Sequence, residues 1–420
     1  MGLEAKYDYS PRMYRRVVFA AAQAVSFRDA AEALDELGEL KLLPKRVWRA
    51  AKRIGEERVE ECRAVAARYE ELPLPAQRQS PAAHGQAPQV ACVQMDGGRF
   101  QQRERIAGEP PAQPLDLPNE ESAVESQEDG SWCEYKAGVL MSMTSKVHAE
   151  DPCPELPTTF ADPAKMRKIA REIKGFTHES AVSMAAEEEA GSDFKEADGR
   201  PETLVKSVVA TSGDVEAFGP LLVNAAYERG FNAAPRKAFV ADGSSTNWGV
   251  WRRYFSHYTP ILDFVHALMY VYAAAMAGRT ANEGWSFYRD WSQWLWQGQV
   301  GRLLTALGQR QLELGLPEKR ETGTPRAQLA SSLSYLTNQR ERMKYPEYRK
   351  LGLPITSSPI ESTVKQINRR IKGTEKFWSE GADPMLHLVA DRLSQTDVTA
   401  KFWARRLDRI IGSASYQQAA

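Results

Sequence analysis

The 420-residue chain reads as an α/β protein: a mixed-sheet core, a helical N-terminal region and an all-helical insertion. Three observations predict this. Short β-type runs occur at 89–95, 132–143, 204–210 and 237–241, and an amphipathic helical segment separates the last two. Helix-period patterning without β-type runs fills 10–70 and again 279–350. Proline and glycine punctuate the joints between these stretches.

The N-terminal region reads as helices at 12–25 and 27–36, the second capped by Ser26 with Asp29 in its first turn and broken by Gly38. Pro44 opens the next helix, expected to run through Val47 and Trp48 to Ile54-Gly55. Two helices joined by a glycine-containing turn form a helix-turn-helix pattern. The second carries Lys45, Arg46, Arg49, Lys52 and Arg53, with no acid before Glu56. These are candidate DNA contacts for a recognition helix; the alternative is a solvated basic face. Residues 71–88, rich in proline, read as a linker.

The run 89–95 leads into Asp96-Gly97-Gly98, and the Pro- and Glu-rich stretch 109–130 reads as a long mobile loop inside the hairpin to 132–143. A helix at Pro163–Lys174 precedes an acidic, alanine-rich stretch ending Gly191-Ser192-Asp193. The run 204–210, a helix from Val215 to Arg229 ended by Gly230, and the run 237–241 into Asp242-Gly243 follow. Residues 260–277 read as one apolar helix containing Asp263 and His266. The helical stretch to 350 holds Trp285, Trp291, Trp294 and Trp296, read as core, with base stacking as the alternative. Beyond Ser357-Ser358-Pro359, a helix is expected from Ile360 to Lys372. The resulting division is 1–70, 71–88, 89–270, 271–350, 351–400 and a tail at 401–420.

One acid closes the first strand, a second closes the fourth, and Glu361 opens a late helix. This is the layout of a ribonuclease-H-like core, whose first and fourth strands are neighbours, so that Asp96 and Asp242 would meet. Three carboxylates suit two hard divalent cations that keep positions open for phosphate. The glycines after both aspartates would admit a phosphate backbone, although either Asp-Gly alone also fits a hairpin turn. On the last helix Ile360, Val364, Ile367 and Ile371 share one stripe, while Glu361, Lys365, Asn368 and Lys372 share the next. Arg369, Arg370 and Lys376 extend the positive charge there, and a solvated amphipathic helix is the alternative.

The motifs Val-Gln-Met-Asp96-Gly-Gly-Arg, Phe-Val-Ala-Asp242-Gly, Leu-Asp263-Phe-Val-His266 and Leu-Pro-Ile-Thr-Ser-Ser-Pro-Ile-Glu361-Ser-Thr-Val-Lys resemble bacterial insertion-sequence transposases of the Mutator-like branch. The resemblance spans about residues 10–400, with Ser357-Ser358-Pro359 standing where many relatives have Gly-Ser-Gly. It implies catalytic metal binding by Asp96, Asp242 and Glu361, with Asp263 and His266 as an auxiliary pair. His266 as a transition-metal ligand is disfavoured, because no His/Cys cluster accompanies it. Two Mg²⁺ or Mn²⁺ ions are expected, with element terminal repeats and target DNA as partners and a homo-oligomer assembled on DNA. A non-catalytic DNA-binding descendant and a nuclease of the same fold are the rival readings.

Composition sets the remaining expectations. The balance of 55 basic and 55 acidic residues means that charge must be read segment by segment. Four scattered cysteines without a C-x-x-C pair argue against a zinc site or a disulfide framework. No run of 18 apolar residues, no apolar leader and no nucleotide-binding loop is present. A bacterial cytoplasmic, nucleoid-associated protein without membrane or nucleotide partners is therefore expected.

Overall fold

The computed structural model describes residues 9–79, 87–102, 131–174, 200–373, 377–378 and 381–408. The loop expected at 109–130, the acidic stretch before Asp193, and Lys376 lie outside them.

Helix α1 (Pro11–Gln23) starts where the Ser10 hydroxyl accepts the Met13 N–H. Helix α2 (Phe27–Gly38) starts at a reciprocal capping box between Ser26 and Asp29. Helix α3 (Pro44–Glu70) does not stop at Gly55, as local propensity suggested. A Cβ on Gly55 would lie 2.6 Å from the Cβ of Pro384, so this glycine admits a neighbouring chain segment instead of ending the helix. Part of the expected linker is folded too: Leu74–Gln77 forms α4, and Asn232 donates to the carbonyls of Gln77 and Gln79.

The core follows in chain order: β1 (Val90–Gln102), β2 (Ser131–Thr144), α5 (Pro163–Lys174), β3 (Glu202–Thr211), α6 (Val215–Glu228) and β4 (Arg236–Ala241). Next come α7 (Ser245–Tyr254), β5 (Thr259–Leu262) and α8 (Phe264–Met276). Strand β5 and helix α7 were not foreseen. The four residues of β5 run into an apolar helix, and hydrophobic periodicity does not separate the two. Helices α9 (Ala281–Trp296), α10 (Val300–Leu314), α11 (Pro325–Gln339) and α12 (Tyr345–Lys350) make up the all-helical stretch. Helix α13 (Ser358–Ile371), β6 (Phe377–Trp378) and α14 (Ala382–Leu393) complete the sequence of elements.

The fold is α/β with one mixed sheet in the order β3-β2-β1-β4-β5. Strands β1, β2 and β3 are antiparallel neighbours, whereas β4 and β5 run parallel to β1. Side chains alternate across β1, so Gln94, Asp96 and Gly98 share one face. Helix α13 covers that face, its Ile360, Val364, Ile367 and Ile371 buried as the stripe predicts. The N-terminal helices do not stand apart. Helix α3 packs on α1, α2, α6 and α14, and Arg370 of α13 donates to the Ala21 carbonyl with its guanidinium over Phe27. Arg370 is therefore a buried brace and not part of a basic surface. Residues 401–408, expected as tail, are helical; Phe402 is buried and Arg406 pairs with Glu57. Among the described residues, no helix is long and apolar enough to cross a membrane.

Candidate metal centre

Strand β1 does not end at Asp96. It continues through Gly97 and Gly98, paired with β2 as far as Gln102. On its other edge β4 pairs only with Val90–Gln94, and β6 resumes pairing at Gln101. Asp96 thus sits in an interval of open strand edge, just past the point where β4 leaves β1. The two glycines answer to β2. A Cβ on Gly97 would come within 2.7 Å of the Tyr135 carbonyl oxygen, and one on Gly98 within 2.5 Å of the Tyr135 ring. The expectation that they make room for a phosphate backbone is replaced by this close approach.

Asp242 follows β4 directly. Its Oδ1 accepts the Ser244 N–H at 2.9 Å and the Asn247 amide at 2.8 Å. The same Asn247 nitrogen lies 3.5 Å from the Met95 carbonyl, which ties the Asp242 turn to β1. Gly243 takes φ +92°, a conformation that L side chains resist. From α11, the Tyr335 hydroxyl donates to the Asp242 carbonyl and Gln339 donates to the Gly243 carbonyl at 3.0 Å. Tyr335 is itself stacked on Tyr270 of α8 at 3.6 Å.

Glu361 lies in the first turn of α13, where Pro359 is tolerated because a backbone N–H at that position would have no acceptor within the helix. Fully buried Gln94 sets the helix against β1: its amide donates to the Thr356 carbonyl at 2.9 Å and its carbonyl accepts the Ile360 N–H at 3.2 Å. The Ser357 hydroxyl donates to Glu361 Oε1 at 2.9 Å. Asp263 is not inside a helix, as expected, but is the N-cap of α8. Its Oδ2 accepts both the N–H and Nδ1 of His266 at 2.7 Å, and its Oδ1 accepts the Ser357 N–H at 2.6 Å. His266 Nδ1 is 4.0 Å from Glu361 Oε1.

These groups feel one another's charge. Burial, then the charges of Asp242 and Glu361, push the Asp96 carboxyl up to about 6 against the pull of the Gly97 amide and His266. Burial and Asp263 raise the Glu361 carboxyl, while Ser357, His266 and Lys365 oppose them. Burial alone would lower His266, but the hydrogen bond and charge of Asp263, with Asp242 and Glu361, hold it up at about 9. Donor atoms of Asp263, His266 and Glu361 lie within 4.8 Å of one another. Both Asp263 oxygens already accept hydrogen bonds, so Asp263 is better suited to orienting its neighbours than to holding an ion.

No protein-family model and no curated protein matches this sequence. What the site can do must therefore be read from its own residues.

The expected DNA contacts fall into two groups. Lys45, Arg46 and Arg49 are exposed at the start of α3, and Lys365, Arg369 and Lys372 are exposed along and just past α13. Lys52 and Arg53 are instead drawn into the helical bundle: Lys52 lies 3.7 Å from Glu56, and Arg53 lies 3.4 Å from Glu57 and 3.0 Å from the Tyr14 hydroxyl. Asn368 accepts the Tyr135 hydroxyl at 2.9 Å and braces α13 on β2. Trp291 and Trp296 are core residues, and Trp285 and Trp294 are half-buried. Sequence reasoning missed Gln94, Asn247, Tyr335, Gln339 and Ser357. Gln94 alone left a trace, an amide in an apolar run two residues before Asp96.

Proposed function

We propose that the chain is a DNA transposase with a ribonuclease-H-like core, related to the Mutator-like branch of insertion-sequence enzymes. The observation that carries this reading is that three acids stand on adjoining elements of one sheet, with Asp242 and Glu361 acting on Asp96 by charge, although the oxygens of the three do not form a group within 4.8 Å among the described residues. Asp96 is on the central strand, Asp242 ends its parallel neighbour, and Glu361 opens the helix laid over them. The Asp96 carboxyl is raised first by burial and then by the charges of Asp242 and Glu361, and an oxygen donor set of this kind fits Mg²⁺ or Mn²⁺.

Asp96, Asp242 and Glu361 would hold two such cations, which supply Lewis acidity at phosphorus and a more acidic attacking water. Asn247 and the Ser244 N–H restrain one Asp242 oxygen and leave the other available. Gln94 keeps Glu361 in register with Asp96. Lys365 and Arg369, exposed on the same helix as Glu361, would balance the phosphates of DNA lying along α13. Water would cut a phosphodiester at the element end, and the freed 3′-hydroxyl would attack target DNA. Both steps are displacements at phosphorus, so one site serves both. Helices α2 and α3, with Lys45, Arg46 and Arg49 outermost, would act as the helix-turn-helix that engages terminal repeats. Helices α9–α12 would form the insertion that shapes the DNA path. Two element ends require a homo-oligomer on DNA, in the bacterial cytoplasm at the nucleoid.

The test is cleavage and strand transfer on a labelled fragment carrying the element's own terminus, with Mg²⁺ or Mn²⁺. Wild type should cut and join; Asp96→Asn, Asp242→Asn and Glu361→Gln should bind DNA and do neither. DNA binding without cleavage by wild type would make the chain a binding protein, and cleavage without joining would make it a nuclease.

A further inference from the structure

We propose that His266 is itself a metal ligand, through Nε2, beside Glu361. This rests on the reading of the site as a metal centre and extends its donor set from oxygen to nitrogen.

The geometry begins at Asp263. This carboxylate is fully buried, and it accepts hydrogen bonds from the Ser357 N–H, the His266 N–H and His266 Nδ1. A carboxylate only accepts, so Nδ1 carries the hydrogen and the ring is fixed in orientation. Nε2 is then the nitrogen left for another partner, and no hydrogen bond holds it among the described residues. The His266 side chain is 21% exposed, whereas that of Asp263 is fully buried. The ring stands beside Glu361, whose Oε1 is 4.0 Å from the Nδ1 that Asp263 already holds, so the proposal assigns the ion to the other nitrogen, Nε2. A carboxylate that orients the far nitrogen of an imidazole is the support that metal-bound histidines regularly have.

In the cation-free site the surrounding carboxylates favour the imidazolium. A cation that binds Nε2 displaces that proton to solvent, as metal binding to protonated ligands does. The chemical consequence is selectivity. An imidazole nitrogen beside a carboxylate favours Mn²⁺ and later first-row cations over Mg²⁺, which keeps to oxygen. The Glu361 side of the centre would thus prefer Mn²⁺, and the Asp96–Asp242 side would take either ion.

The test is pulsed electron paramagnetic resonance of Mn²⁺ bound to the full-length chain, with calorimetric titration of Mn²⁺ and Mg²⁺. Wild type should show ¹⁴N coupling from an imidazole, replaced by ¹⁵N coupling when the protein is labelled with [¹⁵N]histidine. The isotope comparison uses wild-type protein and does not depend on any variant folding. In His266→Gln the coupling should vanish while Mn²⁺ still binds, its affinity lower by about tenfold or more, with Mg²⁺ affinity unchanged. Bound Mn²⁺ without nitrogen coupling would overturn the inference and leave the metal centre standing. Coupling that persists in His266→Gln would also overturn it. Failure of wild type to bind Mn²⁺ at all would overturn both the inference and the reading beneath it.

Discussion

Asp96→Asn should stabilise the cation-free protein. The Asp96 carboxyl rises from 3.8 to about 6 on folding, first through burial and then through the charges of Asp242 and Glu361. Between these values the native state binds more protons than the unfolded chain, so this group lowers stability as pH increases. The ionised form costs about 1.5 kcal/mol at pH 5 and about 3 kcal/mol at pH 8, where the full penalty has developed. Asparagine carries no charge to desolvate, and its Oδ1 can still accept the Gly97 N–H that Asp96 accepts at 2.7 Å. The assay is denaturant unfolding of both proteins in chelator from pH 5 to pH 8. The variant should be more stable throughout, with a gain that roughly doubles across the range. Added Mg²⁺ or Mn²⁺ should stabilise wild type and leave the variant largely unmoved. Equal or lower stability of the variant at pH 8, or a gain independent of pH, would refute the raised Asp96 carboxyl.

Gln94→Leu orphans the Thr356 carbonyl, at about 1–3 kcal/mol, and leaves the Ile360 N–H with the Ser357 carbonyl alone; unfolding should show the loss, and calorimetry a drop in cation affinity. Mg²⁺, which keeps to oxygen donors, should bind wild type about tenfold more tightly per pH unit up to about 6, where Asp96 must release its proton, and with a flat dependence above; titration calorimetry from pH 5 to pH 8 checks this, and a flat profile throughout removes Asp96 from the donor set. Tyr335→Phe combined with Gln339→Leu frees the Asp242 and Gly243 carbonyls from α11. At about 1 kcal/mol per hydrogen bond, cation affinity should fall severalfold or more while circular dichroism stays native.

Where Asp96, Asp242 and Glu361 stand in the fold was legible because each carries its context locally: a β-type run before Asp96 and Asp242, an amphipathic helix after Glu361. What lies around them was less so. Asp96-Gly97-Gly98 looks like a turn, and only the partner strand β2, which pairs on to Gln102, keeps the chain extended there. Gly55 looks like a helix stop, and only Pro384, far along the chain, shows why it is not one. The residues that aim the carboxylates escaped notice for the same reason. Asn247, Tyr335 and Gln339 act on backbone groups or on Asp242, through contacts that periodicity and composition do not encode. Lys52 and Arg53 looked like part of a continuous basic face because the acids that pair with them, Glu56 and Glu57, lie one turn beyond the run that was read.

The neutral total charge is compatible with DNA binding once buried and exposed cations are separated. Arg229 donates to the Leu140 and Val205 carbonyls and to the Ser142 and Ser207 hydroxyls, fastening β2 to β3. Arg349 pairs with Asp151 beneath Trp296, Arg370 holds α1, and Arg406 pairs with Glu57. These guanidiniums serve the scaffold, and those paired with acids cancel acidic charge in the total without affecting the field outside. The potential met by a polyanion is set by the cations left at the surface. Helix α13 shows the separation within a single element. Ile367 and Arg370 face inward, Glu361 stands at the N-terminus, and Lys365 and Arg369 face outward. Carboxylate placement and outward positive charge therefore depend on different residues of one helix, and either can be altered without removing the other.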